Sequence, residues 1–145
     1  MRKSDIREQI EEDPDKMEEE RDDESLYPDD LLKIAKDPDH LGRMNDPSSS
    51  AYIKGPCGDE MEFYLVIDNG VIKDIAFYSE GCIATRICGE MTSKLAKGKR
   101  IEEVLDLSPK KVMGELNGLP ADQKHCTILA VSTLYKAIAE YLLKP

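Results

Sequence analysis

The sequence of 145 residues has no tryptophan, only two phenylalanines and only two histidines. A core must therefore be built mainly from aliphatic side chains. No run approaches the roughly 18 apolar residues of a membrane-spanning helix, which argues against a membrane partner. There is no basic excess: 30 Asp and Glu stand against 20 Lys and Arg, a net charge of −10. Binding to nucleic acid needs a basic face, so nucleic acid is excluded as the main partner. No apolar signal segment opens the chain, and its first residues are too acidic for a mitochondrial transit peptide. A cytoplasmic location is the expectation. There the four cysteines would stay reduced, which favours metal binding or sulfur chemistry over disulfides.

The acidic charge is unevenly spread. Residues 1–24 hold seven Glu and five Asp against three Arg and two Lys, a net charge of −7. Their few large apolar side chains, Ile6, Ile10 and Met17, cannot bury enough surface to offset chain entropy. Residues 1–24 are expected to form a disordered acidic tail, and residues 25–145 one nearly neutral domain.

Within that domain the chemistry-bearing residues fall in three places: Gly55-Pro56-Cys57-Gly58-Asp59, Gly81-Cys82 and His125-Cys126. Gly and Pro fit a tight turn that can aim Cys57 and Asp59 at one point. Three thiols, one imidazole and one carboxylate suit zinc, iron or an iron–sulfur cluster. Any one of these residues alone would more often be a turn residue, a small buried hydrophobe or a surface histidine; their joint placement at loop ends raises the odds.

The surrounding pattern supports that placement. Pro28-Asp29-Asp30 starts a short helix that Asp37-Pro38 ends, and residues 37–50 read as loop. Ala51–Lys54 reads as a short strand. Met61, Phe63, Leu65 and Ile67 alternate along a longer strand; Asn69-Gly70 predicts a type I′ hairpin, with Val71–Ser79 returning. That hairpin would bring the Cys57 end of one strand beside the Cys82 end of the next. Ile83, Ile87, Met91 and Leu95 form a helical stripe closed by Gly98, with Cys82 at its N-terminus. Ser108-Pro109 reads as the start of another helix, running to about Asn117-Gly118. A last helix runs from near Cys126 to Leu143, with Ile128, Val131, Tyr135, Ile138 and Leu142 as its buried face. Both Cys82 and Cys126 would sit where a helix dipole favours thiolate. Cys88 lies about 240° around the helix from Cys82 and reads as core packing. His40 has no partner nearby in sequence and receives no role.

The three cysteine blocks, extended to Ser79-Glu80-Gly81-Cys82 and to Leu119-Pro120 through His125-Cys126-Thr127-Ile128-Leu129-Ala130, resemble the U-type iron–sulfur scaffold family: IscU, SufU and the N-terminal domain of NifU. The Asn-Gly hairpin and Lys97-Gly98-Lys99 fit as well, and the resemblance spans about residues 27–143. It implies an α+β fold, a small three-stranded antiparallel sheet with helices packed on one side. It implies a scaffold rather than an enzyme, assembling a [2Fe–2S] cluster from iron and from sulfur delivered by a cysteine desulfurase, then passing it to acceptor apoproteins. The family's ligand positions fall on Cys57, Asp59, Cys82, His125 and Cys126, and its usual sulfur acceptor on Cys126. Without iron, the same set commonly holds zinc.

The chain departs from the family pattern at Asp37-Pro38-Asp39-His40-Leu41-Gly42, where many members have Asn-Pro-Arg-Asn-x-Gly. It departs again at Leu119-Pro120-Ala121-Asp122-Gln123, where IscU proteins have Leu-Pro-Pro-Val-Lys; this counts against recognition by the dedicated Hsp70-type chaperone. The ferredoxin-like and C-terminal domains of full-length NifU have no counterpart in the sequence, nor does the acidic tail match a family segment. A zinc-containing, SufU-like sulfurtransferase is the alternative. SufU proteins typically carry an insertion between the Cys82 and His125 blocks, whereas 42 residues separate these here, the short form. A purely structural zinc protein would be expected to use four clean ligands, so the carboxylate and the surplus donor count against it.

Overall fold

A computed structural model describes residues 23–56 and 58–145. The tail predicted over residues 1–24 lies outside the described residues except for its last two. Asp23 caps a 3-10 turn, Glu24–Leu26, by accepting from the Ser25 amide. Helix α1 (Asp29–Lys36) follows, with two aspartates in its first turn, where the helix dipole favours them. Strands β1 (Ser49–Lys54), β2 (Glu60–Asp68) and β3 (Val71–Tyr78) come next. Helices α2 (Ile83–Ala96), α3 (Ile101–Val104) and α4 (Pro109–Glu115), a 3-10 turn (Ala121–Gln123) and helix α5 (His125–Leu142) complete the chain. Among the described residues no helix is long and apolar enough to cross a membrane.

The sheet has the order β1-β2-β3, antiparallel throughout. Asn69-Gly70 starts the β2–β3 pairing: both residues adopt positive φ, +53° and +74°, as a type I′ turn requires, and a one-residue bulge between Val66 and Ile67 shifts the register beyond it. Met61, Phe63, Leu65 and Ile67 are buried on one face, while Glu60, Glu62, Tyr64 and Val66 point the other way. α5 covers β1 and β2 on the buried face, α2 covers β3, and α1 packs on α2. The expected α+β architecture, with helices on one side of a three-stranded sheet, is the observed one.

Two readings of the helices change. The helix begun by Ser108-Pro109 ends at Glu115, short of Asn117-Gly118, although the Ser108 side chain caps it as expected. In α5, Val131 and Ile138 are buried, but Ile128 is 56% and Leu142 58% exposed. The buried arc is instead centred on Cys126, Ala130, Leu134 and Ala137. α5 is apolar on several sides, so periodicity alone does not choose among them. Small Ala130 and Ala137 allow close approach to the sheet, and this face wins because packing density decides the contact.

The loop predicted over residues 37–50 also does more than connect. His40 to Gly42 lies along the free edge of β3: the Phe77 amide donates to His40 O (2.9 Å) and the Gly42 amide to Phe77 O (2.8 Å). Covering an edge strand in this way removes unpaired backbone groups that would otherwise recruit another chain. His40 has a partner after all, the buried Glu90 of α2. The carboxylate accepts from both the His40 amide (2.8 Å) and its Nδ1 (2.6 Å). A glutamate on the buried side of a helix was the sequence signal for such a pair.

α2 approaches β3 closely enough that Gly89 faces the Phe77 ring. A Cβ at Gly89 would lie 2.4 Å from Phe77 Cδ2, and both residues are buried. Overpacking of a core costs roughly 1–3 kcal/mol, while alanine gains about 1 kcal/mol over glycine in a helix. Gly89→Ala is therefore expected to lower stability by a net ~1 kcal/mol or more and the melting temperature by several degrees. A thermal melt by circular dichroism checks this; an unchanged or raised melting temperature would show that the α2–β3 contact yields.

Candidate metal centre

Each donor is delivered by a local feature of the chain. Between β1 and β2, Gly58 takes φ +92°. The Gly58 amide donates to Gly55 O (3.0 Å) and the Gly55 amide to Asp59 O (2.7 Å). This closed turn places Asp59, 8% exposed, at the foot of β2. After β3, Ser79 Oγ donates to Glu60 O (2.7 Å) and accepts from the Gly81 amide (3.0 Å). That clasp ties the end of β3 to the start of β2 and leads into Cys82, the extended N-cap residue of α2. From the other side, the 3-10 turn Ala121–Gln123 leads into α5, whose first two residues are His125 and Cys126.

The structure brings four of the five predicted donors together. Cys82 Sγ lies 3.7 Å from Asp59 Oδ2. One donor atom each from Asp59, His125 and Cys126 lie within 4.8 Å of one another. The prediction for Cys57 lies outside the described residues. Cys88 is buried in the core cluster, as expected. Cys82, Cys88 and Cys126 are unbridged thiols. Among the described residues, His125 Nε2 is buried with no hydrogen-bond partner. An unpaired buried polar atom of this kind costs about 1–3 kcal/mol, and coordination to a metal would satisfy it.

Two residues in this cluster carry no role in the sequence reading. Thr85 Oγ1 donates to Asp59 Oδ2 (2.9 Å) and lies 3.4 Å from Cys82 Sγ and 3.6 Å from Cys126 Sγ. Gln123 is buried and its Oε1 accepts from the Cys126 thiol at 3.7 Å. Each stands three residues from a cysteine, and for Thr85 that spacing on a helix was a usable signal, since i and i+3 share a face.

The two helix-start thiols do not behave alike. The hydrogen bond from Cys126 lowers the Cys82 thiol to about 6, against the upward pull of burial, and the backbone amide of Thr85 adds to the lowering. Cys126 moves the opposite way: its interaction with Cys82 pushes it far above the ordinary thiol range, and burial pushes in the same direction. Of the two helix-start thiols expected to favour thiolate, Cys82 alone is lowered, and chiefly by its hydrogen bond with Cys126 rather than by the helix start.

The family's sequence profile, described as the NifU-like N-terminal domain, matches residues 26–145. The chain belongs to the NifU-like N-terminal domain family. It is 34% identical over 120 residues to the iron–sulfur cluster assembly scaffold protein IscU 1 of Archaeoglobus fulgidus, covering 82% of this chain and 78% of that one. It is 35% identical over 121 residues to the iron–sulfur cluster assembly scaffold protein IscU of Aquifex aeolicus, covering 81% and 77%. The fold matches the crystal structure of a nitrogen-fixing NifU-like protein (N-terminal) from Brucella abortus with a TM-score of 0.68 at 16% identity, covering 83% of this chain and 96% of that one. A scaffold protein for the SUF system from Fervidobacterium islandicum AW-1 matches with a TM-score of 0.65 at 18% identity, covering 80% and 98%.

Because the Cys82 value is depressed, its thiolate is present above about pH 6 and is lost as pH falls through that value. In metal-free protein, thiolate ultraviolet absorbance is expected to show a step near pH 6 that disappears in Cys82→Ala. A titration identical in the two proteins would sink the assignment. Cys88, fully buried and pushed well above the ordinary thiol range by burial, should have no part in this step. Cys88→Ser is expected to cost about 1 kcal/mol or more in stability while leaving zinc affinity unchanged; a well-folded Cys88→Ser protein with weakened zinc binding would refute its core-packing role.

Proposed function

We propose that this chain is a scaffold on which a [2Fe–2S] cluster is built from iron and desulfurase-delivered sulfur, then passed to acceptor apoproteins. The observation that carries the reading is the convergence of Asp59, His125 and Cys126 at the end of the sheet, with Cys82 Sγ 3.7 Å from Asp59 Oδ2. Curated relatives named as iron–sulfur cluster assembly scaffold proteins support it. Cys57 is the fifth proposed donor. The cluster is cargo, so the site must hold it firmly enough to assemble it and loosely enough to release it. Thiolates suit iron–sulfur; a hard carboxylate suits it less well, so Asp59 forms the weak corner through which the cluster leaves. With no iron present, the same donors suit zinc. Unbridged thiols fit a reducing setting such as the cytoplasm.

Cys126 is the proposed sulfur acceptor. Its thiolate would attack the outer sulfur of a desulfurase persulfide, forming a new S–S bond as the desulfurase cysteine leaves as thiolate. Cys126 is 0% exposed and hydrogen-bonded, so this step requires the 3-10 turn Ala121–Gln123 and the first turn of α5 to open. Occupation of Cys82 by a metal would remove the interaction that raises the Cys126 thiol. The surplus donor then keeps the metal bound while Cys126 is away. The short connection between Cys82 and His125 favours this scaffold over a SufU-like zinc sulfurtransferase.

The test is anaerobic incubation with a cysteine desulfurase, cysteine and ferrous iron, followed by visible absorption and metal analysis. A [2Fe–2S] spectrum with matching iron and sulfide supports the scaffold. A persulfide on Cys126 with zinc retained and no cluster identifies the sulfurtransferase instead. Asp59→Ala removes the one oxygen donor, leaving Cys57, Cys82, His125 and Cys126 to complete a set of four. Its reconstituted cluster is expected to decay several-fold more slowly in air and to transfer several-fold more slowly to an acceptor. Faster loss than from the unmodified protein would make Asp59 an indispensable ligand and the weak-corner mechanism wrong.

A further inference from the structure

At the centre of the donor cluster stands a side chain that is not itself a soft metal donor. Thr85 is the third residue of α2 and is fully buried. A threonine on a helix ordinarily turns its hydroxyl back to a carbonyl one turn earlier, or out to water. Here the hydroxyl reaches across 26 positions of sequence and donates to Asp59 Oδ2 at 2.9 Å. Its remaining lone pairs face the thiols of Cys82 and Cys126, at 3.4 and 3.6 Å. A hydroxyl carries one proton and can donate to one acceptor at a time. In this arrangement Asp59 has it, and the sulfurs are left with the accepting side.

The surrounding backbone is shaped to keep Thr85 in this orientation. A Cβ on Gly81 would come within 3.1 Å of Thr85 Cβ, Thr85 Oγ1 and Ser79 Oγ. Such contacts are tighter than side chains ordinarily make, so Gly81 leaves the space that the Thr85 side chain fills. Ser79 and Gly81 belong to the same clasp that ties β3 to β2. The threonine is thereby pinned from the strand side and the carboxylate it holds is on the adjoining turn.

The geometry points to Thr85 as the positioning residue of this centre: its hydroxyl aims the Asp59 carboxylate at the donor cluster, and the contribution of Asp59 to metal binding depends on it. This rests on the reading above in taking Asp59 as a donor. Partners that orient a ligating carboxylate typically change metal affinity by 10–100-fold when removed. Thr85 acts through Asp59, so its effect should vanish when Asp59 is gone.

The experiment measures zinc affinity of the metal-free full chain by competition with a chromophoric chelator, using Zn²⁺ alone as the probe. Thr85→Val keeps the shape and removes the hydroxyl; Thr85→Ser keeps the hydroxyl. Thr85→Val is expected to weaken zinc binding by about 10–100-fold, Thr85→Ser by less than about threefold, and Thr85→Val placed in Asp59→Ala to add less than about threefold. If Thr85→Val binds zinc as the unmodified protein does, or if its full loss persists in the Asp59→Ala background, the positioning role is overturned. If Thr85→Ser is as weak as Thr85→Val, the hydroxyl is not the acting group and the proposal also falls. Should Thr85→Val fail to fold, Thr85→Ala serves in the same cycle. Zinc binding needs neither desulfurase nor acceptor, so failure of cluster assembly and failure of this cycle are separately visible.

Discussion

The register of the β2–β3 hairpin is the constraint on which the site depends. Asn69 and Gly70 both sit at positive φ, and that turn together with the one-residue bulge between Val66 and Ile67 fixes Glu62 opposite Tyr78 at the far end of the ladder. The two strand ends that carry Asp59 and Cys82 are therefore side by side, and Ser79 clasps them by bonding to Glu60 O. A slip of one residue would turn Met61, Phe63, Leu65 and Ile67 toward solvent. The hydrophobic core and the donor cluster are thus set by the same pairing.

Helix packing supplies the other half. α5 lies over β1 and β2 and delivers His125 and Cys126 from its first turn; α2 lies over β3 and delivers Cys82 and Thr85. Because α2 and α5 also pack on each other, the two helix starts meet at the end of the sheet. The buried pair His40–Glu90 secures the outer side of α2 to the strand-like segment over β3. A paired buried carboxylate is strongly destabilising when its partner is lost, so this contact helps to hold α2 in place against the sheet edge.

The centre is an economy of protons as much as of ligands. Four polar side chains, Asp59, Thr85, Cys82 and Cys126, are linked within 3.7 Å contacts while almost no water reaches them. A low dielectric strengthens each hydrogen bond and penalises each unpaired group. The interaction between the two sulfurs lowers the Cys82 thiol and raises that of Cys126, and among the described residues His125 Nε2 has no hydrogen-bond partner. A metal would bind the Cys82 thiolate and engage the nitrogen.

Much of this was legible in the sequence by itself. The alternation along β2, the Asn-Gly turn and the Ser-Pro helix start are local signals, and each fixes local geometry through sterics or hydrogen bonding that tertiary contacts do not override. The three cysteine blocks and the donor types within them were equally readable. Only the tertiary structure decided which arc of α5 is buried, because a helix apolar on several sides presents several candidate faces and packing selects one. It alone joined His40 to Glu90, 50 positions away. It alone set the bond from Thr85 to Asp59, 26 positions away: the i, i+3 spacing put Thr85 on the face of Cys82, but a hydrogen bond between chain-distant groups leaves no trace in sequence spacing.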